Sequence, residues 1–150
     1  MNQLQSLYIH VPFCSHRCGY CDFTLVAGKD HLAEKYLDAL SLEIDRELAR
    51  VINSDSAVHS NLQLDTVFFG GGTPTQLTAQ QLERLCGIVH DRFQLTPKTE
   101  FSVEANPAGM TDDRITVLAE AGVNRISLGV QSFDDETLTM LERDHRQTDV

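Results

Sequence analysis

Residues 7–21 read Leu7-Tyr8-Ile9-His10-Val11-Pro12-Phe13-Cys14-Ser15-His16-Arg17-Cys18-Gly19-Tyr20-Cys21. Leu7–Val11 has the apolar and aromatic character of a short strand, and a cysteine-rich loop follows to about Val26. The same strand-then-helix reading repeats outward along the chain. Residues 31–50 predict a long amphipathic helix, with Leu37, Leu40, Ile44 and Leu48 on one stripe at three- and four-residue steps. The polar stretch 53–61 reads as a loop.

Asp65–Phe69 reads as a second strand, ending at Gly70-Gly71-Gly72. Thr78 with Gln81 three residues later forms a capping-box pattern and opens a helix to about Phe93. Thr99–Glu104 is a third strand. Thr111 is placed to cap the next helix, which Gly122 stops. Arg125–Val130 is a fourth strand, and a fourth helix runs from Asp134 to Arg143. The order βαβαβαβα predicts an α/β fold with a parallel sheet and right-handed crossovers. Ligands of such sheets gather beyond the C-terminal strand ends. The cysteine loop, the triple glycine, Glu104 and Gln131 follow or end the four strands in turn, so all four are expected at one mouth.

The spacing Cys14-x-x-x-Cys18-x-x-Cys21 crowds three of the four cysteines into one loop. Thiolates are soft ligands that suit iron–sulfur clusters or zinc. Structural zinc normally takes four ligands, which here would need His10 or His16 beside the cysteines. Three thiolates on a [4Fe–4S] cubane instead leave one iron free for an exchangeable ligand. The amino and carboxylate groups of S-adenosylmethionine are such a ligand. Cys86 falls among Leu82, Leu85 and Val89 on a helix and reads as core. His16, His31, His59, His90 and His145 form no constellation in the sequence.

Composition narrows the partners. Twelve Lys and Arg against 22 Asp and Glu give a net charge of −10, which argues against a nucleic-acid surface and disfavours anionic membrane. No apolar run approaches the ~20 residues of a membrane span. The segment Met1–Ser6 lacks the basic and apolar regions of a signal peptide, so a cytoplasmic location is expected. Free clustered thiols fit that reducing compartment. No internal repeat or linker interrupts residues 1–150, which read as one incomplete domain. A four-stranded parallel sheet leaves two open edges, so the chain is expected to be a fragment of something longer.

Four segments together carry a family resemblance. They are Tyr8 to Phe23, Phe69-Gly70-Gly71-Gly72-Thr73-Pro74-Thr75, Glu104-Ala105-Asn106-Pro107 and Asn124 to Phe133. In that order they resemble the radical S-adenosylmethionine superfamily, and within it the oxygen-independent coproporphyrinogen III oxidase family. The resemblance implies the N-terminal part, about four βα units, of a radical SAM partial (β/α)6 TIM-like barrel. It implies a [4Fe–4S] cluster whose electron breaks the sulfonium C–S bond of S-adenosylmethionine to give an adenosyl radical. True oxidases of this family carry a further cysteine two positions past the third ligand, and an N-terminal extension. Here Phe23 stands at that position, and the cluster motif begins thirteen residues into the chain. Both features resemble the HemW-type branch, the haem chaperones. That resemblance implies haem or porphyrin as a ligand of the full-length protein, a haem-acceptor protein, and an electron donor to the cluster.

Cys14, Cys18 and Cys21 are thus the expected metal ligands. The expected cofactor-binding residues are Tyr8, Tyr20, Gly71, Gly72, Thr73, Glu104, Gln131 and Arg143. The glycines permit close backbone approach, offering partners to the amino and carboxylate groups of the cofactor. Glu104 suits a ribose hydroxyl or an amino group, and the Tyr20 backbone suits the adenine. Contacts from Tyr8, Gln131 and Arg143 to the cofactor are implied by the resemblance. His10 shares a strand face with Tyr8 and reads equally as a site contact or a packed histidine. The GK[ST] of a phosphate-binding loop is absent.

Overall fold

Alternation along the first strand sets the two faces of the sheet. In β1 (Ser6–Val11), Ile9 and Val11 are buried, while Tyr8 and His10 turn to the opposite face. The structure, a computed structural model, describes residues 5–54 and 62–150. Two two-residue strands follow, β2 (Phe13–Cys14) and β3 (Val26–Ala27), paired in parallel. A 3-10 turn at Asp30–Leu32 leads into α1 (Ala33–Ser54). Then come β4 (Thr66–Gly71), α2 (Ala79–His90), β5 (Glu100–Ala105), α3 (Asp112–Glu120), β6 (Arg125–Leu128) and α4 (Asp135–Met140).

The main sheet has the order β1-β4-β5-β6, every pair parallel, as the strand–helix alternation predicts. Tyr8 pairs with Phe68, His10 with Gly70, Phe69 with Val103, and Glu104 with Ser127. One face is closed by helices. Ile9, Val11, Val67, Phe69, Phe101 and Val103 pack there with Leu37, Ile44, Leu82, Leu85, Val89 and Leu118. Phe69 and Phe101 meet edge to face at 5.0 Å. Each fully buried ring of this kind contributes about 1.5–3 kcal/mol. Cys86 is 2% exposed within this layer, as its helical neighbours predict. The other face carries Tyr8, His10, Phe68, Gly70, Ser102, Glu104 and Ser127, following the same alternation.

Several boundaries differ from the sequence reading. Strand β4 runs through Gly70 and Gly71, because β1 supplies a pairing partner for both. The polar loop expected over 53–61 lies outside the described residues from position 55, as does His59, while 53 and 54 close α1. Thr78 forms the full capping box with Gln81, but α2 ends at His90, short of Phe93. Thr111 stands at the start of α3 without capping it, since its hydroxyl donates to the Asp113 carboxylate. Gly122, at φ 82°, ends that helix as expected. The fourth strand stops at Leu128, and α4 is only six residues long. Asp134 caps α4 by accepting from the Thr137 N–H at 2.7 Å. Its other end is set by Glu142, which takes a left-handed φ of 56° and breaks the helical path before Arg143. Among the described residues no helix is long and apolar enough to cross a membrane.

Candidate cluster and cofactor site

The cysteine loop is closed at its base by the β2–β3 ladder. Val26 N–H donates to Pro12 O at 2.8 Å and Gly28 N–H to Cys14 O at 3.1 Å. The ladder ties Leu25 and Val26 back to the cysteine end of the loop, a feature without a periodic signal in so short a segment. Within the loop, Cys21 N–H donates to Cys18 O at 3.0 Å, and the Arg17 guanidinium donates to the carbonyls of Cys21 and Phe23. All four cysteines are free thiols. Cys14, Cys18 and Cys21 line one cavity of about 360 Å³, within the usual range for small-ligand sites.

The triple glycine forms the opposite lip. Gly72 N–H donates to Val11 O and Thr73 N–H to Phe13 O, both at 2.8 Å. A Cβ on Gly72 would lie 2.8 Å from the Pro12 and Phe13 carbonyl oxygens, so only glycine fits. At Gly71, φ is 113° and a Cβ would strike the His10 ring at 2.7 Å. Gly71 N–H donates to Glu104 Oε2 at 3.2 Å. The backbone N–H groups of Gly71, Gly72 and Thr73 are therefore already engaged within the protein. Their carbonyls remain acceptors with two lone pairs each, which suits an ammonium group better than a carboxylate.

Thr73 and Arg143 act on the sulfurs. The Thr73 hydroxyl lies 3.3 Å from Cys14 Sγ. Burial pushes the Cys14 thiol up from its ordinary range, and the hydrogen bond to Thr73 and the charge of Arg143 offset part of that rise. Arg143 is the hub of the mouth. Its Nε–H donates to His145 Nδ1 at 3.4 Å. One terminal nitrogen reaches Cys18 Sγ at 3.8 Å and Tyr20 Oη at 3.3 Å. The other reaches Asn106 Oδ1 at 3.2 Å and Gly129 O at 2.8 Å. Each of the five guanidinium N–H donors thus has its own acceptor. Asn106 turns its Nδ2 to Asp144 Oδ1 at 2.7 Å, and Ser15 Oγ donates to the other oxygen of Asp144 at 3.4 Å. The ends of β5 and β6 and the segment after α4 are thereby fastened to the cysteine loop.

Of the residues read from the sequence, the cavity brings together the three cysteines, Tyr20, Gly71, Gly72, Thr73, Glu104, Gln131 and Arg143. Gln131 adopts a left-handed φ of 65° there. Tyr8 does not line this cavity. It is 57% exposed, stacks on Phe68 at 6.0 Å and donates its hydroxyl to His10 Nδ1 at 3.1 Å. The pairing register places it three residues short of the strand's C-terminal end, further from the mouth than Gly70 and Gly71. Phe23, Asn106 and Asp144 also line the cavity, and His145 lies buried behind it. Asn106 belongs to the Glu104–Pro107 segment, whose sequence alone assigns it no part in the site. Asp144 and His145 adjoin Arg143 in sequence, but nothing local marks them as its supports.

Both histidines of the zinc alternative are engaged by carbonyls, although His16 Nε2 also lies 3.6 Å from Cys18 Sγ. His10 Nε2 donates to Thr24 O at 2.7 Å and His16 Nε2 to Glu142 O at 2.6 Å, so each ring nitrogen nearest that role is already occupied. Among the described residues no three His, Cys, Asp or Glu side chains are gathered to grip a single ion. Three thiols on one wall, two of them receiving hydrogen bonds from neutral or cationic donors, fit the cluster.

A family profile of the radical SAM superfamily matches residues 8–150. The chain belongs to the radical SAM superfamily. Membership implies a [4Fe–4S] cluster and S-adenosylmethionine. The heme chaperone HemW of Bacillus subtilis (strain 168) is 40% identical over 148 residues, covering 98% of this chain and 37% of that protein. An oxygen-independent coproporphyrinogen III oxidase of Paracoccus denitrificans (strain Pd 1222) is 39% identical, covering 93% of this chain and 30% of its own length. The solved structure of the Escherichia coli coproporphyrinogen III oxidase HemN, a radical SAM enzyme, superposes with a TM-score of 0.81 at 31% identity, covering 97% of this chain and 32% of that one. The radical SAM chain described here therefore has the α/β architecture of the HemN TIM-like barrel, and spans about a third of the relatives it matches.

Proposed function

We propose that residues 1–150 are the N-terminal part of the radical SAM domain of a HemW-type haem chaperone. In this reading Cys14, Cys18 and Cys21 hold one [4Fe–4S] cluster. The cluster, when bound, supplies one electron to the sulfonium of S-adenosylmethionine. Gly71 and Gly72 offer carbonyls to the cofactor's amino group, with Thr73 beside them holding Cys14. Glu104 takes the amino group or a ribose hydroxyl, Gln131 offers both a donor and an acceptor, and the Tyr20 backbone meets the adenine. Arg143 anchors the mouth and meets the cofactor by exchanging the Tyr20 hydroxyl for it. Tyr8 contacts the cofactor from the strand face below the mouth. The full-length protein would bind haem or a porphyrin, receive electrons from a donor and hand haem to an acceptor protein in the cytoplasm.

The observation that carries the site is the convergence of three thiols, the glycine lip, Glu104, Gln131 and Arg143 on one cavity. Phe23 carries the choice of branch. Its side chain, 70% exposed, lines that cavity where the oxidases' additional cysteine would stand. The second reading, oxidative decarboxylation of coproporphyrinogen III, is favoured by the 39% identity to the Paracoccus oxidase, nearly that of the HemW relative.

Anaerobic reconstitution of the full-length protein tests both. The expected result is four irons per chain, haem binding on titration, and no conversion of coproporphyrinogen III. Conversion to protoporphyrinogen IX overturns the chaperone reading. Failure to take up iron, with Cys18→Ala indistinguishable from the parent, overturns the cluster reading.

A further inference from the structure

His145 is the one ionisable side chain among the described residues that is wholly buried, at 0% exposure. A buried ring must satisfy its polar atoms, and both of its nitrogens have partners. Nε2 faces Val130 O at 2.9 Å. A carbonyl only accepts, so Nε2 carries the proton and Nδ1 presents a lone pair. That lone pair receives the Arg143 Nε–H. The two bonds set the tautomer and aim the guanidinium at once. The same guanidinium reaches Cys18 Sγ at 3.8 Å and Tyr20 Oη at 3.3 Å through one terminal nitrogen. Fixing Nε therefore fixes the terminal nitrogen that reaches Cys18 Sγ. Val130 lies next to Gln131, whose left-handed backbone sits in the same mouth.

We infer that His145 is a positioning residue: through Nδ1 it holds Arg143 so that one guanidinium N–H is delivered to the Cys18 sulfur. The inference rests on the cluster reading of the cysteines. Hydrogen bonds to cluster sulfurs favour the reduced, more negative state and so raise its reduction potential. Arg143 adds a full positive charge to that bond. Loss of the His145 acceptor frees the guanidinium to turn away, and the potential falls.

The test uses anaerobically reconstituted full-length protein and five variants: His145→Leu, His145→Asn, His145→Gln, Arg143→Leu and the double variant of His145→Leu with Arg143→Leu. Each is read by iron content and by the midpoint potential of the cluster in a spectroscopically monitored redox titration. An asparagine amide oxygen occupies the place of Nδ1, so His145→Asn keeps the acceptor and is expected to keep the parent potential. A glutamine amide reaches the place of Nε2 and loses the acceptor, so His145→Gln is expected to move the potential negative. His145→Leu moves it in the same direction as Arg143→Leu and by no more, and in the Arg143→Leu background it adds nothing further. A merely structural histidine would lower thermal stability in all three His145 variants and leave the potential alone.

The inference is overturned if His145→Gln and His145→Leu keep the parent potential while binding four irons. It is overturned equally if the His145 and Arg143 effects add, or if Arg143→Leu does nothing. If His145→Leu does not fold, the asparagine–glutamine comparison decides by itself. A parent protein that binds no four-iron cluster overturns the cluster reading, and this inference with it.

Discussion

Replacing Gly72 by alanine probes the closest backbone contact of the site. A Cβ there lies 2.8 Å from the carbonyl oxygens of Pro12 and Phe13, whereas ordinary contact begins at 3.4 Å. The neighbours are backbone, with no flexible end to swing aside, so the two segments must part by about 0.6 Å. That motion stretches Gly72 N–H to Val11 O and Thr73 N–H to Phe13 O, each 2.8 Å long, to or beyond the useful limit of a hydrogen bond. Two weakened backbone bonds cost about 1–3 kcal/mol together, and the same shift displaces Cys14, the next residue after Phe13. Gly87 is the internal control. It lies within α2, and a Cβ there meets nothing within 4 Å. Gly87→Ala should stabilise by about 0.5–1 kcal/mol through helix propensity alone. Urea unfolding of the full-length protein should therefore move in opposite directions for the two variants. Iron content after anaerobic reconstitution should fall only for Gly72→Ala. Equal stability of the two, or a fully loaded cluster in Gly72→Ala with the parent's stability, would refute the close-approach argument.

Other outcomes follow from the same geometry. Thr78→Ala removes the Oγ1 acceptor of the Gln81 N–H, 3.2 Å away, and leaves the reciprocal bond from the residue-78 N–H to Gln81 Oε1. It should lower stability by about 1 kcal/mol, measured by urea unfolding, without changing iron content. Burial pushes the Cys86 thiol from 9.0 up to about 12. Because the folded value is the raised one, its contribution is complete below about pH 9 and is lost as the pH climbs toward 12. Stability should fall over that window, less steeply in Cys86→Ala, and Cys86 should resist alkylation in the native protein at pH 8. A thiol modified at the rate of a free cysteine would contradict its burial.

The strand–helix order was legible because periodicity is local. The stripe Leu37, Leu40, Ile44 and Leu48 repeats at helical steps, and the apolar strands between such helices allow little but a parallel sheet. The cysteine spacing was equally local, and so was the Thr78–Gln81 box. Thr111 shows the limit of such signals. A threonine at a helix start has an acidic neighbour two residues on, and its hydroxyl chose Asp113 over the backbone. The length of α4 was missed because Glu142 carries no sequence mark of a left-handed backbone, unlike Gly122.

What the amino-acid sequence determined by itself was the set of parts: four parallel βα units, three thiols in one loop, a glycine lip and the radical SAM family they belong to. Tertiary structure alone decided how the parts are wired. The N–H groups of Gly71, Gly72 and Thr73 face inward to Glu104, Val11 and Phe13, and Tyr8 falls outside the cavity. Arg143 gives all five donors to Cys18, Tyr20, Asn106, Gly129 and His145. Cys18 and Arg143 are 125 residues apart in the chain. Hydrogen bonds at that separation depend on which strand ends the parallel sheet brings to one edge, and no periodicity within a single segment encodes them.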